Sequence, residues 1–290
     1  MLRNVLKIRW AAGLLAVVLL CSACGAQGSE SSDSSLPPES LSEPEPEPEP
    51  KPEPDRAAEP IYDAHPELVK VDYDSPALLP KTDDMGQGYL DQFVFLCDSP
   101  TFWLKPFGLL SGGEETTQIW TGPEGTQTLA YQSTYAILDP YDQVERPIRE
   151  VAQLHPPKAM IIALGINGIM FMDEEYFVSE YTDLLTDLQE LCPDTTFILQ
   201  SMYPITPAYK NWGAITNELI TQGNSWILKI AEDHGCLYLD TFACLLGEDG
   251  NARPELMRGD GLHPNEEGLR VILDYIRTHG APELAVEQEN

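Results

Sequence analysis

Five short segments between residues 93 and 240 are rich in apolar residues, and two of them, Phe93–Cys97 and Ala159–Leu164, are apolar at every position. Unbroken apolar runs of this length are typical of strands that are buried on both faces of a parallel sheet. A polar or turn-forming residue follows each run, so every predicted strand has a defined end. The predicted strands are Phe93–Cys97, Thr117–Trp120, Ala159–Leu164, Thr196–Gln200 and Leu237–Asp240.

Amphipathic segments with helical spacing alternate with these strands, and a hairpin is expected at Thr126–Tyr131. Strands that alternate with helices require right-handed crossovers, which produce a parallel sheet covered on both faces. We therefore predict an α/β fold: a single three-layer α/β/α domain with a flavodoxin-like parallel sheet of about five strands. The predicted helices are Val144–Leu154, Asp173–Leu191, Asn217–His234 and Asn265–His279.

The N-terminal segment, residues 1–23, has the pattern of a secretory signal. A basic start precedes the apolar stretch Ala11–Leu20, which is too short to form a stable membrane-spanning helix. The small residues before Cys24 resemble a bacterial lipobox, although Cys21 stands where leucine is usual. We expect lipidation of Cys24 as the mature N-terminus, which would anchor the exported protein to the outer face of the cell membrane. The alternative is simple secretion with cleavage nearby.

Residues 24–60 are rich in serine, proline and glutamate and include the repeat Glu43–Pro50. Almost no apolar side chain is available there to offset the entropy of ordering, so this segment is expected to be a disordered linker. Alternating prolines favour extended polyproline II, which makes a semi-rigid spacer. The folded domain is then expected over residues 61–290, with 61–91 as a lead-in that packs on the core.

The formal charge of −30 argues against nucleic acid or an anionic lipid surface as a partner. A neutral substrate such as an acylated sugar is compatible with it, and the membrane is expected to be contacted only through the lipid anchor. Four cysteines remain after the signal, and their spacing is not that of metal ligands. No metal or cofactor is expected, and a disulfide such as Cys236–Cys244 stays open.

A carboxylate and a histidine lie three residues apart in the segment Asp260–His263. A serine becomes a nucleophile when a histidine takes its proton and a carboxylate holds the imidazole in the correct tautomer. Ser99 is the candidate serine, because it follows the end of the first predicted strand. Asn167 follows the third predicted strand, and the carboxyl ends of parallel strands meet at one edge, where ligands bind.

Taken in chain order, four segments resemble the motifs of the SGNH (GDSL-type) hydrolase superfamily, over roughly residues 89–279. Two positions depart from the family pattern, since Cys97 replaces a glycine and Gly168 replaces an aspartate. The chain also lacks the Gly-x-Ser-x-Gly elbow of α/β-hydrolases. The segments are Phe95–Ser99, Trp120–Thr126, Gly165–Gly168 and Asp260–Asn265.

The resemblance implies a role for each matching residue. Ser99 would be the nucleophile, His263 the general base and Asp260 the residue that orients it. The oxyanion hole would be formed by the backbone N–H groups of Ser99 and Gly125, with Gly122 in reserve, and by the side-chain amide of Asn167.

We expect a serine esterase that works through an acyl-enzyme and removes acyl groups, chiefly acetyl, from a cell-wall or extracellular carbohydrate. One alternative is a catalytically weak carbohydrate-binding lipoprotein on the same fold, and another is an esterase of the lipase or lysophospholipase type. A solute-binding lipoprotein would normally need two lobes, and the folded region is short for that.

Lipidation at Cys24 predicts that tritiated palmitate will label the wild-type protein in a bacterial host and that Cys24→Ala will abolish the label, because the acylated thiol is removed. Equal labelling of the two proteins would contradict the lipobox interpretation and leave simple secretion.

Overall fold

The computed structural model describes residues 59–285 of the chain. The predicted signal segment, the linker apart from its last two residues, and Cys24 all lie outside the described residues. Their assignments therefore stay predictions.

A five-stranded parallel sheet forms the centre of the domain, and helices pack on both of its faces, so the predicted α/β/α class is confirmed. The strands of the described residues are β1 Phe93–Cys97, β2 Ile119–Trp120, β3 Ala136–Leu138, β4 Glu145–Pro147, β5 Ala159–Ala163, β6 Thr196–Gln200 and β7 Leu237–Leu239. The order in the sheet is β2-β1-β5-β6-β7, and β3 and β4 form a separate antiparallel pair outside it.

The three longest helices each begin behind a polar residue whose side chain accepts a hydrogen bond from the first turn. Asp173 accepts from the N–H of Tyr176, Thr216 from that of Leu219, and Asn265 from that of Gly268. The helices are α1 Gly86–Leu90, α2 Ser99–Phe102, α3 Ile148–Leu154, α4 Glu174–Leu191, α5 Asn217–Asp233, α6 Phe242–Leu245 and α7 Glu266–Thr278.

Alternate residues of the strands enter two separate hydrophobic cores, one on each face of the sheet. Leu96 and Ile162 belong to the core that contains Phe177 of α4. Phe95 and Ile161 belong to the core that contains Leu269 of α7. Because both faces are covered, the central strands tolerate no polar position, which explains the unbroken apolar runs in the sequence.

The lead-in segment packs on the outer edge of the sheet beside β7, as expected. The N–H of Tyr238 donates to the Ala77 carbonyl (2.7 Å), and the N–H of Leu79 donates to the Tyr238 carbonyl (2.8 Å). The Tyr62 and Tyr73 hydroxyls donate to Asp240 Oδ2, at 3.1 and 2.6 Å. These contacts bury the Asp240 carboxyl, and burial raises its pKa although both tyrosine hydrogen bonds act to lower it.

Two predicted elements between residues 126 and 154 are wrong. The hairpin expected at Thr126–Tyr131 is instead a single turn of 3₁₀ helix at Leu129–Tyr131, and the hairpin is formed by β3 and β4. The helix expected from Val144 begins at Ile148, because Pro147 occupies the position before the first turn. Proline lacks an N–H and is tolerated at a helix start but not in its interior.

The described residues contain four free cysteines and no helix that is long and apolar enough to cross a bilayer. Within the same residues, no group of three or more histidine, cysteine or acidic side chains is arranged to hold a metal ion.

Candidate active site

Ser99 lies where β1 gives way to the short helix α2. Asp98 precedes it in an extended conformation (φ −94°, ψ −170°), and Pro100 occupies the first turn, where its missing N–H is not needed. As the first helical residue, Ser99 has a backbone N–H without an acceptor inside the helix. Ser99 is half-buried at the carboxyl edge of the sheet, and its own backbone N–H is a hydrogen-bond donor beside its hydroxyl.

His263 joins Ser99 to Asp260 through two hydrogen bonds of equal length. Its Nε2 lies 2.9 Å from Ser99 Oγ, and its Nδ1 lies 2.9 Å from Asp260 Oδ2. The backbone N–H groups of Leu262 and His263 donate to Asp260 Oδ1, at 2.9 and 3.0 Å. Burial acts to raise the pKa of Asp260, but these N–H groups and the imidazole lower it overall, which keeps the carboxylate charged.

Gly261 allows the loop of Asp260 and His263 to turn against its neighbour. Its φ of +72° is in the left-handed region, and a Cβ there would meet Thr206 Oγ1 and lie 2.6 Å from the Tyr209 nitrogen. The Thr206 N–H also donates to the Gly261 carbonyl (2.9 Å). A side chain at this position would therefore displace the loop that carries the base.

A cation–π contact links the same loop to the nucleophile helix. The Arg258 guanidinium carbon lies 3.7 Å from the centre of the Trp103 ring, and Trp103 directly follows α2. The backbone N–H of Arg258 donates to the His263 carbonyl (2.7 Å). The Arg258–Trp103 contact thus joins the loop of His263 to the helix of Ser99. The sequence does not predict this contact, because two residues this far apart in the chain carry no joint sequence signal.

Gly125 packs directly against the nucleophile turn. A Cβ on it would lie 3.0 Å from Ser99 Cα and 2.9 Å from Phe102 Cβ, and its φ is +76°. Its N–H, however, donates to the Gly122 carbonyl (3.0 Å). The predicted oxyanion donor is therefore placed beside Ser99, but in this conformation its hydrogen is used inside the turn. Its role, and that of Gly122 in reserve, stays a prediction.

Asn167 follows β5, which pairs with β1, so it lies at the strand end next to that of Ser99. Its side-chain nitrogen donates to the Gln127 carbonyl (2.8 Å), and its side chain is exposed. The amide has a second N–H for another acceptor. Gln127, which orients this amide, had no sequence signal of its own.

Both residues that depart from the family pattern are buried. Cys97 is fully buried in the core on the α7 face, among Phe95 and Ala163, and burial raises the pKa of its thiol well above the usual value. Gly168 faces Met172, whose Sδ would lie 2.5 Å from an added Cβ. Cys97 is thus a core residue.

Asp98 is a buried carboxyl at the base of the nucleophile turn, with only 4% of its surface exposed. It occupies the position before α2 but makes no capping bond to that helix. Burial raises its pKa to about 7, although the backbone N–H groups of Gly165, Ile166 and Asn167 act to lower it. This carboxyl therefore faces the turn that carries Asn167.

The profile of one family, the GDSL-like lipase/acylhydrolase family, matches residues 126–271, about half of the chain. The chain belongs to the GDSL-like lipase/acylhydrolase family. It is therefore an ester-hydrolysing enzyme, and the predicted superfamily is confirmed. The matched segment contains Asn167, Asp260 and His263, whereas Ser99 precedes it. The catalytic roles themselves stay predictions that the geometry supports.

Two bacterial proteins with provisional assignments are among the solved structures that match this chain. The first, described as a platelet activating factor of Streptococcus pneumonia, has 18% identity over 65% of this chain and 86% of its own, with a TM-score of 0.48. The second, described as an acylhydrolase of Bacteroides fragilis, has 20% identity over 67% and 86%, with a TM-score of 0.45.

An acetyl xylan esterase is 19% identical over 63% of this chain and 96% of its own, with a TM-score of 0.45. No curated protein matches the chain.

Replacing Gly261 by alanine is predicted to lower kcat by about 10²-fold, because displacement of a catalytic group by about 1 Å has an effect of this size. The matched control is Gly235→Ala, where φ is also positive (+64°) but a Cβ would meet nothing within 4 Å. Steady-state ester hydrolysis and thermal unfolding of both variants check this. Equal kcat values in the two variants would show that backbone strain, and not displacement of the loop, is the only effect.

Proposed function

We propose that this enzyme is a serine esterase that removes acyl groups, chiefly acetyl, from a cell-wall or extracellular carbohydrate. The observation that carries the proposal is the continuous hydrogen-bonded series from Ser99 through His263 to Asp260, with 2.9 Å at each step of the imidazole. A serine, a base and an orienting carboxylate in this order are the requirements for acyl transfer.

In the first half of the reaction, Ser99 Oγ attacks the ester carbonyl carbon while its proton passes to His263 Nε2. The carbonyl π electrons move to oxygen, and the resulting oxyanion is held by the Ser99 N–H and the second N–H of Asn167. Collapse of this intermediate breaks the bond to the sugar oxygen, and His263 returns the proton to the leaving alcohol. An acyl-enzyme on Ser99 remains.

In the second half, a water molecule replaces the alcohol. His263 removes one proton as the water oxygen attacks the acyl carbon, and the proton is then given to Ser99 Oγ as the acyl bond breaks. The products are the free acid and the restored serine. Asp260 stays ionised throughout, and its low pKa favours the imidazolium that forms twice in each cycle.

Exposed aromatic and apolar side chains on the carboxyl-edge loops support a carbohydrate as the alcohol part. Tyr131 is 56% exposed, Phe171 55%, Met170 49% and Trp212 42%. Tyr131 follows β2, Met170 and Phe171 follow β5, and Trp212 follows β6. In the loop that carries Trp212, the N–H of Thr206 donates to the Gly261 carbonyl. Large exposed rings near a site mark binding surfaces, and flat rings match the apolar faces of pyranose sugars. The net charge of −30 disfavours an anionic membrane as their target.

The proposed location is the outer face of a bacterial cell membrane, with the catalytic domain held away from it by the linker. The support is the sequence pattern of residues 1–60 alone, in which the lipobox-like Cys24 is followed by the proline-rich spacer.

The first prediction from this proposal concerns the triad. Ser99→Ala and His263→Ala are each expected to lower kcat/KM for p-nitrophenyl acetate by at least about 10³-fold, because each removes a member of one proton-transfer unit. Ser133→Ala and His234→Ala, which replace the same residue types elsewhere, are the controls and should retain full activity. Activity that survives both triad substitutions would refute the assignment. A folded wild type without activity on any ester would favour the binding-protein alternative.

The second prediction concerns the sugar surface. Trp212→Ala is expected to raise KM for acetate release from acetylated xylo-oligosaccharides by roughly 3- to 10-fold, the effect of losing one stacking contact. Its kinetics on p-nitrophenyl acetate should not change.

The control is Tyr141→Ala, which replaces a ring that is 52% exposed and stacked on His155, before the amino end of β5. If Trp212→Ala changes hydrolysis of both substrates equally, or neither, the ring has no part in binding the glycan.

A further inference from the structure

Two buried side-chain oxygens face one small cavity beneath the nucleophile turn. The cavity has a volume of about 10 Å³ and is lined in part by Asp98, Gln200 and Tyr203. Among the described residues, Asp98 Oδ2 and Gln200 Oε1 have no hydrogen-bond partner. Both atoms accept hydrogen bonds, so they cannot satisfy each other without a hydrogen between them. Either a proton on Asp98 or a single water, for which the volume is sufficient, would supply it.

On one side, this pair is connected to the turn that carries Asn167. Asp98 lies directly after the strand pair Cys97 and Ala163, and its backbone N–H donates to the Ala163 carbonyl (3.2 Å). Ile166 lines the same cavity as Asp98, and the N–H groups of Gly165, Ile166 and Asn167 act to lower the pKa of its carboxyl group as hydrogen-bond donors. The turn of residues 165–167, which follows β5, thus presents its backbone N–H groups to the carboxyl of Asp98, which follows β1.

On the other side, the pair is connected to the helix that carries Ser99. Gln200 Nε2 donates to Tyr203 Oη (2.8 Å), which leaves the Tyr203 hydrogen to be donated to Thr101 Oγ1 (3.0 Å). Thr101 is in α2, two residues beyond the nucleophile. All of these side chains are buried.

We propose that Asp98 is a positioning residue for the oxyanion hole: its buried carboxyl accepts from the N–H groups of residues 165–167 and, through Gln200 and Tyr203, fixes the Asn167 turn relative to the helix of Ser99. The inference rests on the proposed function, since it assumes that Ser99 reacts and that Asn167 stabilises the oxyanion. The side chain at position 98 needs only one carbonyl oxygen for the backbone contacts. On its other side, an O–H or N–H group is sufficient for the contact with Gln200.

This arrangement predicts different results for two replacements of Asp98. Asp98→Ala removes the acceptor, so the Asn167 turn loses its support, and kcat should fall about 10- to 100-fold with KM nearly unchanged, somewhat less than removal of an oxyanion donor. Asp98→Asn keeps a carbonyl oxygen toward the turn and places N–H donors toward Gln200, so it should restore kcat to within about 3-fold of wild type. Equal loss in both variants would overturn the proposal.

A double variant separates positioning from general loss of stability. If Asp98 acts through Asn167, then Asp98→Ala combined with Asn167→Ala should have the same kcat as Asn167→Ala alone. The matched control is Asp240→Ala, which removes another buried carboxyl, held by two tyrosines. It should lower the unfolding temperature but leave the kcat of the folded protein and the effect of Asn167→Ala unchanged. Multiplicative effects of Asp98→Ala and Asn167→Ala would refute the coupling.

Amide hydrogen exchange on the unmutated protein tests the contacts without relying on catalysis or on a variant that folds. The N–H groups of Gly165, Ile166 and Asn167 should exchange slowly, although the Asn167 side chain is exposed. Rapid exchange at all three would overturn the proposal even if the enzyme is active. Slow exchange in a protein whose Ser99→Ala variant keeps full activity would instead refute the proposed catalytic function and leave the contacts in place.

Discussion

The parallel pairing of β1 with β5 is the constraint on which the site depends. Five residue pairs, from Phe93 with Ala159 to Cys97 with Ala163, set the two strands in one register. Because both strands end at the same level, the nucleophile turn and the Asn167 turn leave the sheet side by side. A shift of the register would separate them and would also place every side chain of β1 in the wrong core.

The second requirement is that His263, which follows all the strands in sequence, reaches this edge of the sheet. Its loop is held by three features: the carboxylate that accepts two backbone N–H groups, the left-handed Gly261, and the contact of Arg258 with Trp103. Backbone geometry and packing together keep His263 within reach of Ser99.

Strands buried on both faces could be predicted from the sequence because their apolar runs, such as Phe93–Cys97, are unambiguous. The segment Thr126–Tyr131 could not, since its backbone is set by tertiary contacts: the Gln127 carbonyl accepts from Asn167, and the Ala130 carbonyl accepts from the Tyr176 hydroxyl (2.6 Å). The chemistry-bearing residues were found by type and order. Their supports, Gln200 among them, were missed because a polar residue at a strand end is also ordinary surface.

The hydrogen bond between Ser99 and His263 joins residues 164 positions apart, and it spans most of the described domain. In the proposed mechanism, the nucleophile Ser99 is synthesised before four of the five strands of the sheet, and the base His263 only after all five. Under the proposed mechanism, a chain that stops before residue 263 has no proton acceptor for Ser99. Under the proposed mechanism, activity therefore requires an intact chain from residue 99 to residue 263.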